Sequence, residues 1–237
     1  MSDIAEELDD SIPPELQNPI TCANNAVAEQ LDETEKEYDA REIPLIPSSA
    51  LLNTLATLWT YPIDGMEAYR DVLKAAAADD ALASHADSFS NLLMHLAEYD
   101  KPRETIIGAA ALQLDYTRLF IGSFKMYAPP YASFYLDDDH LMYGPTAVEI
   151  ERVYAQFGIE LDKDQHDLPD HIRFLLAFMA MLADGFEKSG KRDYALACED
   201  FNAEYLTPWL GQFKENIDTY AEYPYFKALI DFTISVL

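Results

Sequence analysis

Basic residues are scarce in this chain: of 237 residues only 16 are lysine or arginine, against 43 aspartate and glutamate, for a formal net charge of −27 at pH 7. A surface of that sign repels nucleic-acid phosphates and anionic lipid headgroups, which argues against both as partners. Cysteine is nearly absent. Cys22 and Cys198 stand in unrelated contexts, with neither a CxxC spacing nor the number needed for a disulfide framework or a zinc site, so both are expected to be reduced thiols. Long apolar runs are missing too, with no stretch near the ~18 residues of a spanning helix. The N-terminus Met1-Ser2-Asp3-Ile4-Ala5-Glu6-Glu7 is acidic where a secretory signal is basic. A cytoplasmic protein without stable membrane insertion is the expectation.

Enzyme signatures are also lacking. There is no GxSxG, no HExxH and no Cys and His pair at a recognisable spacing. The nearest approach is Gly185-Phe186-Glu187-Lys188-Ser189-Gly190-Lys191-Arg192, which has the GxxxxGK spacing of a phosphate loop. Arg192 replaces the hydroxyl residue that would hold magnesium, and a helix precedes the segment where the motif needs a strand. It reads as a helix end followed by a lysine-bearing turn, and no catalytic residue or cofactor is expected.

What the chain does have is apolar content, 49% of its residues, enough for a substantial core. Residues 1–46 hold 13 acidic and 2 basic residues, with Pro13, Pro14 and Pro19 interrupting any early helix. This is expected to be an acidic, partly mobile N-terminal segment, with a polar helix over 24–38 and an extended connector at 43–47. Residues 47–237 form the folded domain, its halves 47–122 and 144–237 joined by an irregular loop, 123–143.

Helical periodicity governs that domain. Leu51, Leu52, Leu55, Leu58 and Trp59 recur at three- and four-residue intervals behind the serines 48 and 49, and Tyr61-Pro62 ends the helix. Further helices are predicted over 65–78, 80–99 and 103–121, the last opened by Pro102 and stopped by Gly122. After the loop the period returns at 146–157. Then Ile172, Leu175, Leu176, Met179, Leu182, Ala183 and Phe186 mark a helix apolar on nearly every side, the middle of a core. Helices over 191–206, 208–221 and 224–236 complete an all-α, single-domain bundle of about ten helices. Alternating strand patterns of useful length and internal repeats are absent.

Three local features admit a bland and a functional reading. His166, Asp167, Asp170 and His171, or Asp137, Asp138, Asp139 and His140, are competent metal ligands, yet neither set has a diagnostic spacing, and carboxylate runs are commonly solvated. Leu168-Pro169-Asp170-His171-Ile172 reads as helix capping, with proline and an acid in the first turn. Alternatively, Asp170 and His171 face a cleft, where the carboxylate pairs with a ligand guanidinium and the imidazole donates a hydrogen bond. The third is the loop itself. Phe124, Tyr127, Tyr131, Phe134, Tyr135 and Tyr143, with Pro129 and Pro130, read either as a stiffened, packed loop or as an exposed ledge for an extended apolar peptide.

The order Tyr116-x-x-Leu119-Phe120-x-Gly122, Ala128-Pro129-Pro130-Tyr131-x-Ser133, Gly144 and Pro169-Asp170-His171-Ile172 resembles the TorD/DmsD/NarJ family of maturation chaperones for molybdenum oxidoreductases. A weaker echo is Tyr205-Leu206-x-Pro208-Trp209. The resemblance runs from about Leu51 to the C-terminus. It implies an all-helical chaperone, not an enzyme, that binds the twin-arginine leader and the catalytic subunit of a molybdopterin oxidoreductase and holds back export until the client is mature. It implies Leu119, Phe124, Pro130, Tyr131, Gly144, Asp170 and His171 as leader-binding or groove-shaping, and either a monomer or a segment-swapped dimer. Phe124 and Tyr131 stand where the DmsD branch has tryptophan, and Leu175 stands where many TorD-like members have glutamate. The alternatives are an acidic adaptor that uses residues 1–46 for a basic partner, and a metal-binding helical protein.

Overall fold

Local capping starts the first helix of the bundle and its neighbours fix its direction. The structure, a computed structural model, describes residues 20–22, 41–62, 66–78, 80–99, 109–122, 125–161 and 167–237. Helix α1, Ser49–Leu58, begins where the Ser48 hydroxyl accepts from the Leu51 amide at 3.2 Å. Glu187 adds an anion at the same terminus, its carboxylate taking the Ser49 amide and hydroxyl at 2.7 Å each. Glu187 lies near the end of the helix Ile172–Ser189, so α1 runs antiparallel to it.

The next elements are α2, Met66–Ala76, a 3₁₀ turn Asp80–His85 leading into α3, Ala86–Glu98, and α4, Ala109–Tyr116. A π-helical turn, Thr117–Ile121, extends α4 and ends at Gly122, whose φ of +61° is the left-handed conformation expected of a glycine stop. After the crossing segment come α5, Ala132–Leu136, and α6, Pro145–Gln156. Then follow α7, Ile172–Ser189, and α8, Arg192–Phe201, which a second π turn, Asn202–Leu206, joins to α9, Thr207–Tyr220. Helix α10, Pro224–Val236, closes the chain. The expected polar helix over 24–38 and the expected helix start at Pro102 fall outside the described residues.

Helix α7 is the axis of the core. Every residue from Ile172 to Ala180 is buried, the charged Arg173 included, as are Leu182 and Ala183, because this stretch, Arg173 apart, is apolar on every side. Helices α1 and α8 lie along it. Around Trp59, at the end of α1, an aromatic cluster joins the remaining helices: Phe120 at 5.7 Å and Phe213 at 5.3 Å between ring centroids, with Phe120 in turn 5.1 Å from Phe226. Polar handles on these rings are paired inside the core. Trp59 Nε1 donates to Thr233 Oγ1 at 3.0 Å, and the Tyr116 hydroxyl donates to the Trp59 carbonyl at 3.0 Å.

The crossing segment differs from expectation in holding a helical turn, α5, within what reads as irregular loop. The chain also carries a short antiparallel ribbon, β1 (Ile20–Cys22) paired with β2 (Ile159–Leu161) in the register Ile20↔Leu161 and Cys22↔Ile159. Three residues are too few for strand alternation to show in sequence, and the two partners are far apart along the chain. The loss of the Trp59 acceptor tests the core: Thr233→Val keeps the side-chain shape, strands a buried indole N–H, and is expected to lower unfolding free energy by about 1–3 kcal/mol in chemical denaturation.

Candidate functional site

The crossing segment meets the entrance of α7 in an interlocked junction. The amide of Ala132 donates to the Asp170 carbonyl at 3.1 Å and the amide of Ile172 donates to the Pro130 carbonyl at 2.9 Å, so that Tyr131 and His171 pair as an isolated antiparallel bridge. Within this frame Asp170 Oδ2 accepts both the amide of Ser133, at 2.8 Å, and its hydroxyl, at 2.6 Å. Helix α5 has no side-chain cap of its own. The carboxylate of Asp170 supplies one from 37 residues away. Tyr154 completes the frame by donating its hydroxyl to the Pro169 carbonyl at 3.1 Å.

His171 is the N-cap of α7, with Nδ1 accepting from the Arg173 amide at 3.1 Å. An accepting Nδ1 puts the proton of a neutral imidazole on Nε2. Burial pushes the His171 pKa down to about 4, and the neighbouring Asp167 and Arg173 charges act in opposite senses on it. Tyr131 meets the imidazole edge to face at 5.1 Å, and burial, with the nearby Asp167 and Asp170, raises its phenol pKa. Arg173 pairs with Asp167 at 3.0 Å and lies over the Phe174 ring at 4.4 Å. Burial raises the Asp170 pKa, and the two hydrogen bonds from Ser133 oppose that rise. Its second oxygen, Oδ1, is buried without a hydrogen-bond partner among the described residues.

The junction continues outward through Ser133, whose hydroxyl accepts from the Tyr143 amide at 3.2 Å. One turn on, the Asp137 carboxylate accepts from the Thr146 hydroxyl at 2.6 Å and from the Thr146 amide. Gly144 lies beneath that clamp, and a Cβ there would collide with Asp137 Oδ2. Leu119 holds the other end of the segment with its backbone: its carbonyl, in the π turn, accepts the amides of Tyr127 and Ala128 at 3.1 and 2.9 Å. Asp115 and Arg118 anchor α4 to the α9–α10 turn, the guanidinium reaching Asp115 at 3.0 Å, Glu222 at 3.4 Å and the Tyr220 carbonyl.

Of the seven residues singled out in the sequence, Pro130, Tyr131, Asp170 and His171 therefore meet at one place, Gly144 lies on the loop attached to it, Leu119 anchors its far end, and Phe124 lies outside the described residues. Their exposure bears on the two readings left open for each segment. Pro129, Pro130 and Tyr131 are buried rather than displayed as a ledge, since their backbone is bonded into the helix entrance. Asp170 and His171, at 0% and 2% exposure, do not open onto a cleft. The capping expectation is corrected: the cap is His171, and Asp170 serves the other helix. Ser133, quoted in the motif but given no role, and Thr146, not singled out, carry the junction, because a hydroxyl declares no partner in sequence.

Asp137 and His140 are occupied by Thr146 and by the Phe134 carbonyl, the latter 2.9 Å from His140 Nδ1. No three His, Cys, Asp or Glu side chains converge on a metal position among the described residues. The GxxxxGK look-alike is the end of α7, where the Ser189 hydroxyl donates to the Gly185 carbonyl at 2.6 Å. Cys198 is a buried free thiol that burial pushes up to about 12. No described helix is long and apolar enough to cross a membrane.

What the fold and junction define is an all-α protein built around a buried aspartate–histidine helix entrance. The chain belongs to the family described as nitrate reductase delta subunit, whose model matches residues 75–215. Among similar proteins, the Tat proofreading chaperone DmsD of Salmonella typhimurium is 30% identical over 112 residues, 47% of this chain and 52% of that one. The chain thus spans about half the length of the DmsD relatives it matches. The chaperone protein TorD of Vibrio vulnificus is 25% identical over 170 residues, 70% of this chain and 76% of that one. A crystal structure of a candidate redox enzyme maturation protein from Archaeoglobus fulgidus superposes with a TM-score of 0.50 at 18% identity, covering 82% of this chain and 99% of that one. That likeness shows the fold alone. The relatives agree with the TorD/DmsD resemblance carried by the motifs.

Two outcomes test the junction. The folded state holds His171 neutral down to about pH 4, whereas an unfolded histidine protonates below its ordinary pKa near 6.5. Its contribution is therefore complete above that value and lost as pH falls from about 6.5 to about 4. His171→Asn keeps a cap acceptor and does not titrate. Relative to the parent it should gain on the order of 3 kcal/mol between pH 7 and pH 4, read by denaturant unfolding at both values. Gly144→Ala displaces the Asp137 carboxylate and should cost about 1–3 kcal/mol, with faster amide exchange at Tyr143 and Thr146.

Proposed function

We propose that the protein is a maturation chaperone that takes up the twin-arginine leader of a molybdopterin-containing oxidoreductase subunit in the cytoplasm and holds the client back from export until its cofactor is inserted. In this reading it binds and does no chemistry. The observation that carries it is membership of the family over residues 75–215, with the motif residues Pro130, Tyr131, Asp170 and His171 gathered at one junction. The names of the DmsD and TorD relatives support it, and the net charge of −27 favours a ligand bearing paired arginines.

The buried junction then acts as the frame of the peptide site. A neutral, capped helix entrance fixes the crossing segment, so the segment presents one shape to a leader that loses conformational entropy on ordering. Moderate, reversible affinity follows, which suits a protein that must release its client. Leader residues carrying guanidinium groups meet carboxylates at the rim, where pairing costs less desolvation than burial would.

Calorimetric titration of the full chain with a twin-arginine leader peptide, beside a twin-lysine version, tests the proposal. Saturable 1:1 binding is expected, weaker for the lysine peptide because an ammonium lacks the planar fork of guanidinium. Tyr131→Ala should weaken the arginine peptide by about tenfold or more. Absence of binding at low salt overturns the reading.

A further inference from the structure

The residues of the motif are mostly buried, so the contact surface must lie beside them, and one stretch next to the junction is built to stay in water. Leu141, Met142 and Tyr143 are consecutive and are 63%, 47% and 51% exposed. The turn that carries them is fastened on both sides. His140 is held at φ +50°, with its amide on the Asp137 carbonyl at 3.2 Å and Nδ1 at the Phe134 carbonyl. Tyr143 sits at φ +61°, its amide on Ser133 Oγ and its hydroxyl on Glu151 at 3.3 Å. A left-handed tyrosine is a strained conformation that persists only when its surroundings over-determine it. A connecting turn with these hydrogen bonds has no need of three apolar side chains. Holding them outward on a rigid loop is the arrangement that spares a partner the entropy of ordering its receptor.

The unpaired charge flanking this tip in sequence is acidic. Asp138 and Asp139 are exposed, and neither has an ion pair among the described residues. Glu149 carries its own pair to Arg152 at 3.1 Å. A second copy of a chain with net charge −27 would meet like charge here. An apolar segment flanked by basic residues would meet both a contact surface and counter-charges.

We infer that the tip Leu141-Met142-Tyr143, held by Ser133 on the buried Asp170, is the docking surface for the apolar stretch of a peptide whose basic flank pairs with Asp138 and Asp139. This rests on the leader-binding reading and assigns that reading its contact residues. Ser133 and Asp170 are positioning residues, and the exposed side chains make the contact.

The test is titration of the full chain with the twin-arginine leader peptide, comparing the parent with Leu141→Ser/Met142→Ser, with Asp138→Asn/Asp139→Asn, and with the control Leu93→Ser/Met94→Ser on α3, whose residues are also exposed. The tip double variant should weaken binding by about tenfold or more while its Tm stays at the parent value. The aspartate variant should weaken it at low salt, with the difference fading as salt rises, and the control should match the parent. If the parent binds and the tip variant binds within about twofold, or the control loses as much, this inference falls and leader binding stands. If sedimentation shows a parent dimer that the tip substitutions dissociate, the tip is a self-interface and the inference also falls. Failure of the parent to bind overturns both.

Discussion

The first half of helix α7, Ile172 to Ala180, has no face turned to water, and this one constraint organises the molecule. Residues Ile172 to Ala180 must be covered on every side, so α1, α8 and the aromatic helices around Trp59 are recruited as amphipathic walls. A helix buried from its first residue also has a buried N-terminus, whose orphan amides must be satisfied without water. The neutral imidazole of His171 does this at the Arg173 amide. A charged cap would need a counter-charge in the same dry site.

Burying that entrance has a second consequence. The backbone before it, Pro169 to Ile172, cannot use solvent for its own polar groups, and it finds partners in the crossing segment from Pro130 to Ser133. The exchange is mutual: the segment gains a helix cap from Asp170 and the helix entrance gains a bonded cover. Two stretches of sequence that look like separate motifs are thus halves of one junction. Their residues serve as a frame, which explains how residues implied for peptide contact come to be almost wholly buried. Beyond Ser133 the same chain of hydrogen bonds holds a turn with an exposed apolar tip and an acidic flank, the surface proposed above to meet a peptide.

The charge is best understood on this scaffold. The core is apolar and most of its buried polar groups are neutral or paired, as Asp115 is with Arg118 and Arg173 with Asp167. Among the described residues most charged side chains therefore lie on the outside, and an acidic excess there would attract basic ligands without specifying them. Specificity has to come from shape, and shape comes from the fastened turns.

The sequence by itself determined most of the helices and many of their ends, the short α5 excepted. Leu51, Leu55 and Leu58, or Ile172, Leu175, Met179 and Leu182, repeat at the helical period, and Ser48, Gly122 and Gly190 punctuate because capping and left-handed turns act within a few residues. The same locality made the all-α class legible, and the ordered motifs pointed to the residues of the junction. Only the tertiary structure decided what those residues do. Whether Asp170 capped its own helix or another, whether Tyr131 faced solvent, and that Ile159–Leu161 would pair with Ile20–Cys22 all depend on partners distant in the chain. A carboxylate, a hydroxyl or a three-residue strand has the same local preferences whichever partner it meets. The partner is chosen by which buried polar groups the packed helices leave unsatisfied, a quantity that exists only once the core has closed.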